Sequence, residues 1–458
     1  MIENRLTEES AADAQRLYLD FDSFFASAEQ HFNPALRGKP VGVVPLDSPG
    51  TGCIAMSREA KRLGVPSGAT VVAAREIAPA MIFVVARPDA YVRLHQKILT
   101  AIEACVPIAK VRSIDEVVCH LLHSEGSHAG TLAQAIKRTL EETLSDVLTC
   151  SIGIARTELL AKIAAEMNKP DGFVQLRTDN LPDQIDHLHL RDLPGVSEGI
   201  ETRLHAAGIR SVKALWATER KQARAIWGNV EGERFWNELH GLHVQRPPTI
   251  KRMFGHSRNL PPDWRTPDKV RECARQLTLS AARRLRRSDQ NASKMTVSMR
   301  SRTYEHARFG EGKKLRWSCE IPFAATRNDR ALLEALAKGL QRSVEEAGFK
   351  PSSVSVMLHG LLADAEIQCD LFTGLADADP TQTASNQTAS DDPARRDRLS
   401  NVMDQIRAKH GPSAVSYGPK VELPGGYLGA KIAFGRIPDL QDFSEVQTED
   451  GATQFYSN

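Results

Sequence analysis

This chain lacks long hydrophobic runs and a basic, apolar leader. No window approaches the roughly 18 consecutive apolar residues that a membrane-spanning helix needs. Residues 1–16 are polar and acidic, whereas a secretory signal is basic and then apolar. The sequence therefore predicts neither membrane insertion nor secretion, and we expect a cytoplasmic protein.

Paired cysteines are also lacking. The 7 cysteines are scattered along 458 residues, and no two of them form a C-x-x-C motif. This spacing predicts neither a disulfide framework nor a zinc site. With 41% hydrophobic and 25% charged residues, the chain is neither collagen-like nor broadly disordered, and its length predicts about three domains.

Charge is unevenly distributed, although the formal net charge is only +2. Residues 246–350 contain 24 Lys and Arg against 11 Asp and Glu, a net charge of +13. Residues 363–458 contain 8 against 15, a net charge of −7. A basic block of this density predicts a polyanionic partner. The acidic segment 373–393 has almost no apolar residues, which predicts a disordered linker.

Two acidic clusters interrupt apolar runs on different predicted strands. Asp20 and Asp22 follow the run RLYL, and Asp115 and Glu116 lie inside VRSIDEVV. Because buried carboxylates without partners are costly, we expect the clusters to converge and share divalent cations. Shared carboxylates that hold two Mg²⁺ ions serve in-line phosphoryl transfer. The alternative is that these acids are structural and pair with Lys or Arg.

Strand-like and helix-like segments alternate up to about residue 170, which predicts a layered α/β or α+β domain. The segment LRDLPGVSEGIETRLHAAG then resembles a helix-hairpin-helix element with its turn at Gly195. Its N–H groups would face a DNA phosphate; a plain helical connector is the alternative. The basic block that follows is predicted to be a separate α+β domain in the order helix, strand, strand, helix, strand.

Four motifs occur in one order: LYLDFDSFFASAEQHFNPALRGKPVGV, MSREAKRLGVPSGA, RSIDEV and SIGIARTELLAKIAAEMNKPDG. Together they resemble the catalytic core of Y-family translesion DNA polymerases of the bacterial UmuC/DinB (ImpB/MucB/SamB) type. The resemblance implies an α+β multi-domain, right-hand polymerase fold with a partly disordered C-terminal tail. The implied domains are the palm and fingers at 15–182 (fingers about 32–82), a helix-hairpin-helix thumb at 183–245, a DNA-binding little finger at 246–362, a clamp-binding motif and linker at 363–393, and a UmuC-like helix and tail at 394–458.

The resemblance also implies the catalytic centre. Two Mg²⁺ ions would be held by Asp20, the Phe21 carbonyl, Asp115 and Glu116, and the three acids would be the catalytic carboxylates. Asp22 matches a second family Asp that is less directly involved in metal binding.

Several residues match positions that contact the incoming nucleotide. Phe25 matches the steric gate, where an aromatic ring lies against the sugar C2′ and excludes a ribose 2′-hydroxyl, whereas Phe24 can serve core packing. Lys169 matches a triphosphate-contacting lysine. The nucleotide-binding candidates are Phe21, Phe24, Phe25, Arg58, Lys61 and Lys169.

Two positions depart from the family pattern. Arg58 and Lys61 stand where many members have Tyr-x-x-Arg, and Lys61 lacks the planar fork of arginine. Glu158 stands where the family has a lysine, which removes a cation near the site.

DNA and a sliding clamp are the implied macromolecular partners. The DNA-binding candidates are Gly195, Lys251, Arg252, Arg258, Lys294, Arg300 and Arg302. The segment IQCDLF resembles the peptide by which bacterial polymerases bind the clamp, with paired apolar anchors on a polar segment. The clamp-binding candidates are Gln368, Asp370, Leu371 and Phe372; the alternative is a last turn that packs on the little finger.

Beyond the linker, Leu399, Val402, Met403 and Ile406 have helical spacing. For the Gly-rich stretch at 422–443 we favour docking to a partner, such as a recombinase filament or an accessory subunit; the alternative is a strand hairpin that folds on the core.

We therefore expect an error-prone, template-directed DNA polymerase for translesion synthesis in DNA damage tolerance, acting on primer-template DNA and dNTPs. A clamp-bound scaffold for another polymerase is the alternative, and it is disfavoured because Asp20, Asp115 and Glu116 are all present. A nucleotide cyclase with the palm topology is disfavoured by the hairpin, the basic domain and the clamp motif.

Overall fold

The structure is a computed structural model of the chain. It describes residues 15–45, 48–247, 250–303, 313–367, 393–410, 414–418 and 437. The chain divides between Pro247 and Pro248 into two compact units, each with its own sheet and core. The mixed α/β multidomain architecture predicted from the sequence is confirmed. Within the described ranges, no helix has both the length and the apolar character to cross a membrane.

The first unit contains most of the described strands and helices. In chain order they are β1 (Arg16–Phe21), α1 (Phe24–Phe32), β2 (Val41–Val44), β3 (Ala55–Met56), α2 (Arg58–Arg62), α3 (Val71–Ile77), β4 (Ile82–Val85), α4 (Pro88–Glu103), β5 (Ile108–Val111), β6 (Glu116–His120), α5 (His123–Gly126), α6 (Ala129–Thr143), β7 (Cys150–Ala155), α7 (Glu158–Met167), β8 (Phe173–Gln175), α8 (Glu198–Ala206), α9 (Val212–Trp216), α10 (Arg220–Trp227) and α11 (Val230–Leu239).

The main sheet of this unit has the order β5, β6, β1, β7, β8. β1 pairs antiparallel with β6 and β7, so it is the central strand. All of β7, and all of β1 after Arg16, is buried, because both faces of these strands are covered. α7 lies directly on β7, where a side chain in place of Gly153 would collide with the backbone of Ala161 and Ala165.

Two smaller assemblies complete the first unit. β3, β2 and β4 form a three-stranded sheet with its own apolar cluster, into which α2 and α3 contribute Ala60, Val71 and Ala74. The four helices α8 to α11 form the second assembly. Their apolar faces join the cluster beneath α7 through residues such as Leu204 and Leu239.

The second unit is a four-stranded antiparallel sheet backed by helices. Its elements are β9 (Met253–Asn259), α12 (Pro267–Arg286), β10 (Gln290–Thr303), β11 (Lys313–Thr326), α13 (Asp329–Glu346), β12 (Ser353–Ala363) and α14 (Pro393–His410). The strand order is β11, β10, β12, β9. Met295, Val297 and Met299 alternate along β10 toward the helices, which leaves the other sheet face open.

The sequence prediction missed one strand of this unit. The predicted order began with a helix, whereas β9 precedes it and pairs with β12. The segment MFGHSRN contains glycine and few β-branched residues, so its strand character depends on pairing with β12 rather than on propensity.

α14 packs on the second unit mainly through polar contacts. Arg286, at the end of α12, forms ion pairs of 2.7 Å with Asp329 and with Asp404 of α14. The Asp329 N–H donates a hydrogen bond to the Ser400 hydroxyl. Of the four apolar residues with helical spacing, Met403 is buried and the other three, Leu399, Val402 and Ile406, are exposed.

Candidate active site

Three acidic residues meet at one end of the two central strands of the first unit. Asp20, near the end of β1, lies directly opposite Glu116, the first residue of β6. The Phe21 N–H donates a hydrogen bond of 2.9 Å to the Asp115 carbonyl, which holds Asp115 just ahead of β6. Because cross-strand neighbours lie on one face of a sheet, the strand pairing brings these sequence-distant acids together.

Burial makes two of these carboxyl groups poor anions. Only 7% of Asp20 is exposed, and burial raises its pKa to about 7, although Lys169 opposes the shift. Burial also raises the pKa of Asp115; the hydrogen bond from the Ser113 hydroxyl opposes this shift and the nearby Glu116 adds to it. A cation beside these groups would offset the cost of their ionisation.

Two lysines pair with the acids. The Lys169 amino group lies 2.7 Å from Asp20 and 3.0 Å from Glu166. Burial alone would lower the pKa of Lys169, but these two carboxylates raise it, so the lysine is charged. The Lys162 amino group contacts Glu116.

These pairs match the structural alternative that the sequence left open, but only for two of the three acids. Among the described residues, Asp115 forms no salt bridge, and its side chain bonds Ser113 instead. No three His, Cys, Asp or Glu side chains in the described part of the chain form a ready-made metal cage. The acids are therefore adjacent, with Lys169 and Lys162 holding Asp20 and Glu116 in separate ion pairs.

Asp22 is buried and has a different environment. Its carboxylate accepts hydrogen bonds from the Thr149 hydroxyl at 2.9 Å, the Ser151 hydroxyl at 3.0 Å and the Asp171 N–H at 2.8 Å. These bonds tie the end of β1 to β7 and to the loop that carries Lys169. Asp22 thus positions this loop from within the protein.

The predicted triphosphate contacts lie on two elements. The Arg58 guanidinium, at the start of α2, donates a hydrogen bond of 3.3 Å to the Thr149 hydroxyl, next to the Asp22 carboxylate. Lys61 is exposed one turn further along α2. Lys169 lies in the loop between α7 and β8 and reaches Asp20 from there.

The two phenylalanines of α1 differ in exposure. Phe24 is buried and contacts Phe21, with ring centroids 6.0 Å apart. Phe25 is half-buried, and its ring stacks on Tyr91 of α4 at 4.7 Å between centroids and 18° between planes. Tyr91 therefore covers one face of the Phe25 ring, and the residue as a whole stays part-exposed.

Sequence reasoning missed the residues behind Phe25. Tyr91 bonds Glu29, which in turn pairs with Arg87, and all three are buried. The available signal was Glu29 itself, a carboxylate in the middle of the apolar helix FFASAEQHF, which requires a buried partner.

Glu158, the departure from the family lysine, has a local partner. It lies in the first turn of α7, where a negative charge is favourable, and it pairs with Arg112 of the turn before β6. Glu158 thus replaces the positive charge of the family lysine with a carboxylate, and Arg112 pairs with that carboxylate.

The predicted hairpin has its turn at Gly195. Its φ of +97° favours glycine, and the Ser197 hydroxyl caps α8. The first turn of α8 contains Glu198 and Glu201, and negative charge at this position competes with a phosphate for the helix N-terminus.

The open face of the second-unit sheet is polar. Ser257, Ser355, Ser298 and Ser318 lie opposite one another across β9, β12, β10 and β11. Beside this serine row, Arg300 and Asn259 help to line a depression of about 160 Å³. Lys294 is on the same face and pairs with Glu320 at 3.0 Å.

The other DNA-binding candidates vary in position. Arg258, one of the predicted DNA contacts, is only 8% exposed on the helix-facing side of β9, so it does not lie on the open polar face of the sheet, and burial lowers its pKa. Alternation along the strand places it opposite to Ser257 and Asn259. Lys251 and Arg252 are exposed ahead of β9, and Lys251 lies 3.9 Å from the centre of the Phe254 ring. The Arg302 side chain, and the clamp-binding candidates at 368–372, lie outside the described residues.

Comparison with known proteins identifies the family. Residues 19–166 match the impB/mucB/samB family, and residues 251–371 match the impB/mucB/samB family C-terminal domain. DNA polymerase IV 2 of Mesorhizobium japonicum is 30% identical over 434 residues, covering 88% of this chain and 93% of that protein. The chain belongs to the impB/mucB/samB family of Y-family DNA polymerases. DNA polymerase IV of Moorella thermoacetica is also 30% identical, over 65% of this chain and 78% of its own length.

Solved Y-family structures share the fold. A Y-family DNA polymerase chimera of Dbh and Dpo4 aligns with a TM-score of 0.63 at 20% identity, covering 76% of this chain and 99% of the chimera. An insertion ternary complex of Dbh DNA polymerase aligns with a TM-score of 0.50 at 21% identity, with the same coverage. The predicted Y-family polymerase fold is thereby confirmed.

Proposed function

We propose that this protein is a template-directed, error-prone DNA polymerase that carries out translesion synthesis in DNA damage tolerance. In the reaction the primer 3′-oxygen bonds to the α-phosphorus of a dNTP, the hydroxyl proton is lost, and the bond to pyrophosphate breaks. The observation that carries the proposal is the meeting of Asp20, Asp115 and Glu116 at one sheet edge in a member of this family.

The donor atoms at this edge suit Mg²⁺, which prefers carboxylate and carbonyl oxygens. The raised pKa values of Asp20 and Asp115 support this fit, because a divalent cation would offset charge that burial leaves poorly solvated. We propose that Asp20, Asp115, Glu116 and the Phe21 carbonyl hold two Mg²⁺ ions. When bound, these ions would lower the pKa of the primer hydroxyl and stabilise negative charge on the transferred phosphoryl group.

The protein side chains then bind and orient the nucleotide. Lys169 and Lys162 would give up their carboxylates to the metal, and Lys169 would place its charge on the triphosphate together with Arg58 and Lys61. Asp22 would hold the Lys169 loop during this exchange through its bond to the Asp171 N–H. Phe25 would close the sugar pocket against a 2′-hydroxyl, with the buried Phe24 supporting it.

Primer-template DNA would lie on the open face of the second-unit sheet. Hydroxyl groups of the serine row are suited to donate hydrogen bonds to phosphate oxygens, and Arg300 adds an exposed charge. Contacts of this kind position a duplex without reading its sequence, as copying arbitrary templates requires.

The Arg300→Gln variant should weaken primer-template binding and reduce the slope of log K against log salt by about one phosphate contact. Lys338→Gln is a matched control, because Lys338 is an exposed cation on α13, behind the same sheet. Fluorescence anisotropy over a salt series measures both slopes. Equal slopes of log K against log salt for the two variants would show that Arg300 does not contact DNA.

Two further contacts rest on the sequence alone. The segment containing Gln368, Asp370, Leu371 and Phe372 would bind the sliding clamp. The stretch at 422–443 would dock a partner such as a recombinase filament or an accessory subunit.

Primer extension by the purified chain tests the proposed function. With Mg²⁺, dNTPs and a primed template, we expect extension on undamaged DNA and across an abasic site, and none after EDTA is added. Failure on both templates, even with clamp and recombinase present, would favour the alternative that the protein is a scaffold for another polymerase. The names of the relatives, which are all DNA polymerase IV proteins, do not favour that alternative.

A further inference from the structure

A buried polar cluster lies behind Phe25 and has no part in the chemistry described above. Glu29 is 0% exposed and accepts two hydrogen bonds from Arg87, from Nε to Oε1 at 3.1 Å and from Nη2 to Oε2 at 2.7 Å. The Tyr91 hydroxyl donates to Glu29 Oε1 at 2.8 Å. The Arg87 guanidinium also lies 4.9 Å from the centre of the Phe32 ring.

The helical spacing links this cluster to the nucleotide pocket. Phe25 and Glu29 are four residues apart on α1 and therefore share one face of the helix. Tyr91 of α4 contacts both of them, with its ring stacked on Phe25 and its hydroxyl bonded to Glu29. Tyr91 is thus held at its polar end, and its flat face forms a wall behind Phe25.

The cluster is rigid for energetic reasons. A buried carboxylate is tolerated only with full pairing, and both oxygens of Glu29 are bonded. Burial and the Glu29 carboxylate raise the pKa of Tyr91 well above its usual value, so the hydroxyl remains a donor at working pH. Any displacement of the Tyr91 ring would stretch this charge-assisted bond.

We infer that Arg87, Glu29 and Tyr91 form a positioning triad that fixes the ring of Phe25 and thereby sets the discrimination between deoxynucleotides and ribonucleotides. The inference rests on the proposed function, in which Phe25 is the steric gate. The Phe25 ring can exclude a 2′-hydroxyl only if it cannot move away from the sugar. The Tyr91 ring blocks retreat on one side, and Phe24, 5.8 Å away, occupies another.

The test is the ratio of kcat/KM for a dNTP to that for the matching rNTP, measured by single-nucleotide incorporation with wild type and variants. We expect Phe25→Ala to lower the ratio by roughly 100-fold, because the gate itself is removed. Tyr91→Leu should lower it by about tenfold, with a smaller loss for the dNTP alone. Tyr91→Phe keeps the ring and removes the anchor, so a fall of roughly threefold is expected.

A matched control separates positioning from general loosening of α4. Ile98 is fully buried two turns further along the same helix, and Ile98→Val should leave the ratio unchanged while lowering the melting temperature slightly. Melting temperatures for all variants verify folding. If Tyr91→Leu fails to fold, Tyr91→Phe, which preserves the packing volume, carries the test.

Each outcome has a distinct meaning. A lowered ratio in Phe25→Ala and in the Tyr91 variants, with Ile98→Val at the wild-type value, supports the triad. A lowered ratio in Phe25→Ala alone overturns the triad and leaves the proposed function intact. An unchanged ratio in Phe25→Ala shows that Phe25 is not the gate, and the inference fails together with that part of the proposed function. A fall in Ile98→Val equal to that in Tyr91→Leu also overturns it.

Discussion

The double variant Asp115→Asn/Glu116→Gln is expected to incorporate a nucleotide at least roughly 10³-fold more slowly than wild type at saturating Mg²⁺. The carboxamides preserve the shape of the side chains but carry no charge, so the site loses two of its three anionic metal ligands. Lys162 loses its anionic partner but is part-exposed and can be solvated. Single-turnover incorporation on a primed template measures the change.

The control for this variant is Glu141→Gln/Glu142→Gln on α6. Both glutamates are exposed in the same unit, so this variant also removes two carboxylate charges but leaves the site untouched. We expect wild-type rates from this control. A double variant of the catalytic pair that remains within tenfold of wild type would exclude Asp115 and Glu116 as essential ligands.

Asp20→Asn is expected to slow nucleotide incorporation by on the order of 10³-fold, because the site loses an anionic metal ligand. The same variant is expected to stabilise the folded state above neutral pH. The pKa of Asp20 is about 7 in the folded chain, against an ordinary value of 3.8. The folded state therefore binds the proton more tightly than the unfolded state. Between these two values the wild type loses stability as pH rises, because folding requires a buried carboxylate to be charged.

The variant cannot ionise at this position and escapes that loss. Each pKa unit corresponds to about 1.4 kcal/mol, and the folded-state pKa of about 7 already includes the attraction of Lys169, so we expect a stabilisation of roughly 4 kcal/mol at pH 8. Near pH 4 the difference should vanish. Urea unfolding of both proteins in EDTA at pH 4, 6 and 8 measures it. A difference that does not change with pH would contradict the assigned pKa.

The convergence of the acids could be predicted because each carboxylate interrupts an apolar run. A carboxylate within an apolar run is costly to bury without a partner, so the sequence indicated that Asp20 and Glu116 share a polar site. Their distinct partners could not be predicted. Lys162 and Lys169 reach the acids only because α7 lies against β1 and β7, which is a tertiary arrangement without a local signal.

Other features depended on orientation, which composition does not encode. Arg258 belongs to a basic block, but the phase of strand alternation turns it toward the helices. The serine row on the opposite face carries no charge, so counting charged residues along the sequence could not reveal it. α14 has apolar spacing, yet it docks through Arg286 and Asp404, because ion pairs between distant segments are invisible to helical periodicity.

The measurement that tests the central claim most directly is Mn²⁺ binding followed by electron paramagnetic resonance, with primer-template and a non-hydrolysable dNTP present. We expect two ions bound per wild-type chain and a marked loss of binding in Asp115→Asn/Glu116→Gln. Equal stoichiometry and affinity in the two proteins would mean that the acids at the ends of β1 and β6 do not hold the catalytic metal.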